Sequence, residues 1–414
     1  MNIYFETYGC TANHSDTALM KGQVSQHGHQ LVQTIETADV IILVTCTVID
    51  TTEQRMLSRL HTLSTHKKPL IVTGCMANVQ QTEIKKHAPN AVILLLHQQK
   101  NLVSILDKKK TQDMQKNQQI PHFNTCCAPI GISEGCTGNC SYCITRIARG
   151  SLQSYPETQI LTSVKAALQQ QCKELQLTAQ DLASYGQDTK TSLSQLVHSL
   201  HNIPEDFRIR LGMMNPSSLL PQVTGIYSLF SLPKIYTFLH LPVQSGDNEI
   251  LTVMKRRYTV EDFLSLVKTY KNTYQDGTLS TDIIVGFPGE TEEQFQHTIN
   301  LIKTVKPDIV NITRFSPRPL TTAKTMQNKI PTNVMKQRSK ILTDLSKKYT
   351  LENNHVHIGK TYEVLITEQG KPGTMQGRTP QYKPVVLSEP VKIGSFKNVE
   401  IIDAKSTYLV GKLI

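Results

Sequence analysis

The strongest constraint on the fold is a repeated change of hydrophobic period. Strand-length apolar runs alternate with helical stretches up to about residue 97, and again from about 128 to 345. In the first segment, residues 3–9, 40–46, 70–75 and 91–97 read as strands, with helices expected from Asn13, over 51–65 and over 78–87. Residues 40–44 and 70–73 are apolar without alternation, the pattern of parallel strands covered on both faces. An open parallel α/β sheet is therefore expected for residues 1–97. Cys10, Cys46 and Cys75 each fall just past the end of one of these strands. Parallel strands put their C-terminal ends on one edge, where ligands bind, so three cysteines far apart in sequence are expected to converge.

The second segment repeats the alternation. Strands are expected at 174–178, 208–213, 236–241, 280–285 and 309–315, and helices at 157–171, 191–201, 247–254, 260–275 and 291–305. Units of this kind and number imply a (β/α) barrel or part of one over residues 126–350, with function at the strand C-termini. Gln180–Asp181, Asn215, Gln244–Ser245 and Gly286 fall there. Residues 98–125, rich in Gln and Lys, read as a linker. Residues 356–414 switch to short strands broken by Gly and Pro turns, which suggests a small antiparallel β-barrel.

The chemistry concentrates in the run CTGNCSYC, where Cys136, Cys140 and Cys143 stand in a Cys-x3-Cys-x2-Cys spacing. Three thiolates hold three irons of a [4Fe–4S] cluster and leave the fourth open. An open position on a protein-held metal is where substrates bind, as catalytic zinc sites also show. Zinc itself tolerates such spacings but would require a fourth Cys or His, and residues 128–156 contain neither. An amino acid chelate suits the open iron, and S-adenosylmethionine (SAM) carries one; its reductive cleavage yields a carbon radical. Tyr142 offers an aromatic surface for its adenine. Cys126, Cys127 and Cys172 read as structural.

Charge points to a polyanionic partner. Lys and Arg number 44 against 33 Asp and Glu, a formal net charge of +11, and cationic surface releases counterions from nucleic acid. Basic residues gather over 324–348, and Lys371, Arg378, Tyr382 and Lys383 form a Gly/Pro-rich mixture suited to phosphate and base contact. The N-terminus has no basic stretch followed by an apolar one, and no apolar run reaches the roughly 18–20 residues that span a bilayer. A cytoplasmic protein without a membrane association is expected, in a compartment where cysteines serve metals or catalysis.

These motifs together resemble the radical SAM methylthiotransferases. The resemblance rests on YFETYGCTANHSD, the cysteines at 46 and 75, EGCTGNCSYCITRIARGSLQSYP, HLPVQSGDNEILTVMKRRYT and TDIIVGFPGET, and covers nearly the whole chain. The C-terminal segment resembles the TRAM RNA-binding domain. The residues flanking the cysteine run are most similar to the archaeal and eukaryotic branch, which modifies N6-threonylcarbamoyladenosine beside the tRNA anticodon. The resemblance implies a second [4Fe–4S] cluster on Cys10, Cys46 and Cys75, which carries the added sulfur. It also implies a cofactor pocket lined by Gln180, Asp181, Gln244, Ser245 and Asp282, with Ala179 where the branch more usually has Gly. Transfer of a methylthio group to C2 of the adenine, an electron donor and a sulfur source follow from it too. Relatives with the same chemistry act on isopentenyladenosine in tRNA or on an aspartate of a ribosomal protein. A separate alternative is an RNA-binding iron–sulfur protein without catalysis, which would not turn over SAM.

Overall fold

The computed structural model describes residues 1–108 and 120–414. The N-terminal domain runs β1 (Asn2–Thr7), α1 (Thr11–Gln26), β2 (Gln30–Val32), β3 (Val40–Thr45), α2 (Asp50–Ser64), β4 (Leu70–Gly74), α3 (Cys75–Val79), α4 (Gln81–His87) and β5 (Val92–Ile93). The strands form one parallel sheet in the order β2-β1-β3-β4-β5. β3 and β4 are buried at every position, which explains their unbroken apolar character. The run at 91–97 supplies only the two residues of β5, and β2 is a short edge strand too polar to have stood out. The stretch read as a linker begins as structure. Its helix α5 (Leu102–Asp107) buries Leu102, Val103 and Leu106 beside the first sheet, while 109–119 lie outside the described residues.

The central domain contains six parallel strands: β6 (Cys127–Gly131), β9 (Glu174–Thr178), β10 (Arg208–Leu211), β11 (Phe238–His240), β12 (Thr278–Val285) and β13 (Ile309–Arg314). They pair as β10-β9-β6 and β11-β12-β13, and a parallel bridge between Ile209 and Ile235 joins the two halves into an open barrel. A small hairpin of β7 (Ser133–Glu134) and β8 (Gln153–Ser154) brackets α6 (Ile144–Arg149). The outer helices are α7 (Glu157–Gln169), α8 (Leu193–His201), α9 (Pro216–Leu219), α10 (Val223–Tyr227), α11 (Asn248–Val253), α12 (Val260–Thr273) and α13 (Glu292–Val305). Leu175, Leu177, Ile209 and Leu211 face the main apolar core with those helices, so the intervening Glu174, Gln176 and Arg210 turn to the other face of the strands.

Helix α14 (Thr332–His355) leads into the last domain, a closed barrel ordered β14-β15-β16-β18-β17. Its strands are Thr361–Gln369, Met375–Arg378, Pro384–Leu387, Phe396–Ala404 and Leu409–Leu413 for β14 to β18. Four of its pairs are antiparallel, but β16 and β18 pair in parallel, which the expected all-antiparallel barrel did not include. This domain is docked on the central one. Tyr382 packs on Tyr236 and Phe238, with ring centroids 4.8 and 5.0 Å away. Lys383 is buried and donates to Asp308 (2.7 Å) and Asn354 (2.9 Å). Among the described residues no helix is long and apolar enough to cross a membrane.

Candidate functional site

Cys10, Cys46 and Cys75 follow β1, β3 and β4 on the same sheet edge. Two glycines let these turns close. Gly9 has φ +113°, and a Cβ there would stand 2.9 Å from the Cβ of Cys46. Gly74 has φ +93°, and a Cβ would meet the Thr45 carbonyl oxygen at 2.4 Å; no other residue fits without displacing backbone. Cys46 and Cys75 are buried and Cys10 is exposed. Burial pushes the Cys75 thiol up to about 12 against the opposing field of Arg149, and burial likewise raises Cys46. Thiols this costly to ionise alone become thiolates readily only when a cation binds them.

The second set lies in the loop between β7 and α6. The Gly138 N–H donates to the Cys136 sulfur at 3.2 Å, and Arg256 Nη1 donates to the Cys140 sulfur at 3.2 Å. Cys143 is the N-cap of α6. Burial raises Cys143 and takes Cys136 up to about 11. Among the described residues no three His, Cys, Asp or Glu side chains gather as ligands of a single ion. Thiols on separate irons of a cluster need no such convergence. The Cys136 set fits an iron–sulfur cluster, with three thiols and with an N–H and a guanidinium aimed at sulfur.

Helix α6 joins the sets. It starts at Cys143, and Arg149 at its end reaches Asp16 at 2.6 Å and Asn13 at 2.8 Å in α1. Six residues at 1.5 Å rise make it about 9 Å long. A cavity of about 340 Å³ is bounded by Val48 and Ile49, just after Cys46, and by Tyr142, Cys143 and Thr145. Its other walls include His240, Gln244, Asp282, Asn311, Phe315 and Arg318. Arg318 braces the domain junction, with Thr47 at 3.1 Å and Glu53 as its ion-pair partner.

Family models match in chain order: "Uncharacterized protein family UPF0004" over residues 2–95, the Radical SAM superfamily over 130–302 and the TRAM domain over 356–414. A protein of Pyrococcus horikoshii described as a probable threonylcarbamoyladenosine tRNA methylthiotransferase is 39% identical, with all of both chains aligned. The chain belongs to this methylthiotransferase family. The human threonylcarbamoyladenosine tRNA methylthiotransferase is 31% identical over 99% of this chain and 73% of its own length. Among solved structures, a radical S-adenosylmethionine methyltransferase from Kitasatospora setae, with cobalamin and a [4Fe–4S] cluster bound, superposes with a TM-score of 0.58. That match covers 78% of this chain and 74% of the other at 11% identity, a likeness of fold alone.

Within this methylthiotransferase the cofactor candidates separate into two groups. Tyr142, Gln244 and Asp282 line the cavity. Gln180 instead accepts from the Gly135 N–H at 2.7 Å and so holds the cysteine loop. Asp181 is buried, accepts from Asn215 N–H (3.0 Å) and Ser218 Oγ (2.6 Å), and is raised by burial. Ser245 is buried, and its Oγ accepts from the Asp247 N–H at 3.3 Å. Sequence reasoning missed Arg149, Arg256, His240 and Asn311. The last two both meet Asp282 Oδ1, at 2.9 and 2.7 Å. Arg149 and Arg256 sit inside the quoted motifs, yet only the fold shows that they face thiols. Of the RNA candidates, Lys371 is exposed, Arg378 stacks on Tyr382 at 4.9 Å, and Tyr382 and Lys383 are occupied at the domain junction.

Proposed function

We propose that this chain adds a methylthio group to C2 of N6-threonylcarbamoyladenosine at tRNA position 37, next to the anticodon. The supporting observation is the single cavity bounded by the loop after Cys46 and the loop around Cys143. In this reading Cys136, Cys140 and Cys143 hold one [4Fe–4S] cluster, and Cys10, Cys46 and Cys75 hold a second. When bound, the first supplies reductive cleavage of SAM to a carbon radical and the second carries the sulfur to be transferred.

The residues of the chain set the conditions. Adenine C2 bears no acidic proton and no leaving group, so a side-chain base cannot reach it and hydrogen abstraction is the physical route. Val48, Ile49, Ile144 and Phe315 give part of the cavity wall an apolar surface. Tyr142, Gln244 and Asp282 orient SAM, with Asp282 fixed by His240 and Asn311. Gln180, Asp181 and Ser245 hold the backbone around it. Arg149 fixes the separation of the two sites by tying α6 to α1. Lys371 and the exposed face of the C-terminal barrel contact tRNA. A cellular electron donor and a sulfur source complete the cycle, and we place the reaction in the cytoplasm.

The test is an anaerobic reaction of the reconstituted protein with anticodon stem-loops carrying either threonylcarbamoyladenosine or isopentenyladenosine. Methylthio product on the first alone is expected. Product on the second alone would transfer the assignment to the isopentenyl substrate.

A further inference from the structure

A second cavity, about 380 Å³ in volume, opens between the N-terminal domain and the central barrel. One wall comes from β1 and α1, the other from β6, Gln176 of β9 and the segment 122–125. Its chemistry is one-sided. His14, Lys21 and His122 line it together with threonine hydroxyls, and among the described residues no Asp or Glu does. The Lys21 ammonium lies 5.9 Å from the Phe5 ring centroid, and among the described residues it has no carboxylate partner. Burial lowers the pKa of all three groups, and Lys21 depresses both histidines further. An ammonium set among imidazoles and hydroxyls, with no counterion among the described residues, forms a site suited to an anion.

The position of the cavity says which anion. Its lining includes Thr11, next to Cys10, and Gln176, whose amide meets the Tyr382 hydroxyl of the C-terminal barrel at 3.4 Å. An RNA with one base near Cys10 brings the phosphates flanking that base within reach of a cavity that starts at the next residue. We propose that the cavity is a phosphate subsite for the sugar–phosphate backbone of the substrate RNA, with Lys21 as its principal cation and His14 and His122 beside it. The assignment rests on the reading that the substrate is tRNA.

The experiment is equilibrium binding of tRNA to the full-length, cluster-loaded protein over a range of salt concentrations. It compares wild type, Lys21→Met and, as an independent variant, His122→Gln. Loss of one phosphate contact should flatten the slope of log K against log salt by about 0.7–0.9 in Lys21→Met, and weaken all tRNA sequences alike. Lys21→Arg should restore the slope. An unchanged slope in a folded Lys21→Met protein would overturn the proposal. So would inorganic phosphate binding to wild type and not to Lys21→Met while the tRNA slope stayed constant, because the cavity would then serve free phosphate. Binding is read without turnover, so absence of methylthio product would contradict the proposed reaction and leave this result standing.

Discussion

Replacing Asp308 with alanine should loosen the docking of the C-terminal barrel, and the structure gives the size of the effect. The carboxylate is buried and accepts from Lys383 Nζ at 2.7 Å, Lys271 Nζ at 3.1 Å and the Leu279 N–H at 2.9 Å. In Asp308→Ala, Lys271 is half-exposed and keeps the Gly277 carbonyl (2.7 Å). Lys383 is about 5% exposed and keeps only Asn354. Leaving one partner of a buried pair uncompensated costs about 3–5 kcal/mol. In Lys383→Met the carboxylate still has Lys271 and an N–H, so the loss should be about half as large. At about 2–4 °C per kcal/mol for domains of this size, Asp308→Ala should lower the melting temperature by roughly 6–20 °C. Differential scanning fluorimetry of the three proteins under nitrogen reads this directly. The sign of the pH dependence follows as well. Burial alone raises the Asp308 carboxyl, but Lys383 and Lys271 outweigh it and hold it below the usual range. Its contribution is therefore complete above the unfolded value near 3.9 and is lost only as pH falls through the lower folded one. The gap between wild type and Asp308→Ala should stay constant from about pH 5 to 8. A shift under about 2 °C, or a larger loss in Lys383→Met than in Asp308→Ala, would refute the reasoning.

Arg149→Met should destabilise by about 3–5 kcal/mol, because Asp16 is then buried without its cation; chemical unfolding reads it, and a near-neutral result would detach Arg149 from the junction. Arg256→Met should make the midpoint potential of the Cys140 site more negative by about 60 mV, a tenfold change for one electron, since hydrogen bonds to sulfur help set it. A redox titration followed by electron paramagnetic resonance that finds no shift would count against that contact. Anaerobic reconstitution should load about eight irons per chain, two clusters of four, and a stable total near four would remove the N-terminal site.

Sequence legibility followed the range of the interactions involved. The unbroken apolar runs of β3 and β4 and the helical periods of α12 and α13 are local patterns, and they gave elements within two residues of those observed. The shared sheet edge of Cys10, Cys46 and Cys75 was readable because parallel strands end on the same side. β6 was not readable: Cys127–Gly131 includes Pro129, and it is a strand because an edge position tolerates proline while pairing with β9. Tyr382 and Lys383 have the composition of an RNA-contacting loop, but their partners, Tyr236 and Asp308, are far away in sequence. The same distance hid Arg256 beside Cys140 and Arg149 beside Asp16.

The central claim is a division of labour between two cysteine sets on either side of one cavity, which Cys143 lines directly and Val48 and Ile49 line just after Cys46. Mass analysis of a single anaerobic reaction containing Cys46→Ala, SAM, a reductant and threonylcarbamoyladenosine RNA tests it most directly. The account predicts 5′-deoxyadenosine, the product of SAM cleavage, with no methylthio nucleoside, whereas Cys140→Ala yields neither. Methylthio nucleoside from Cys46→Ala, or 5′-deoxyadenosine from Cys140→Ala at the wild-type level, would contradict it.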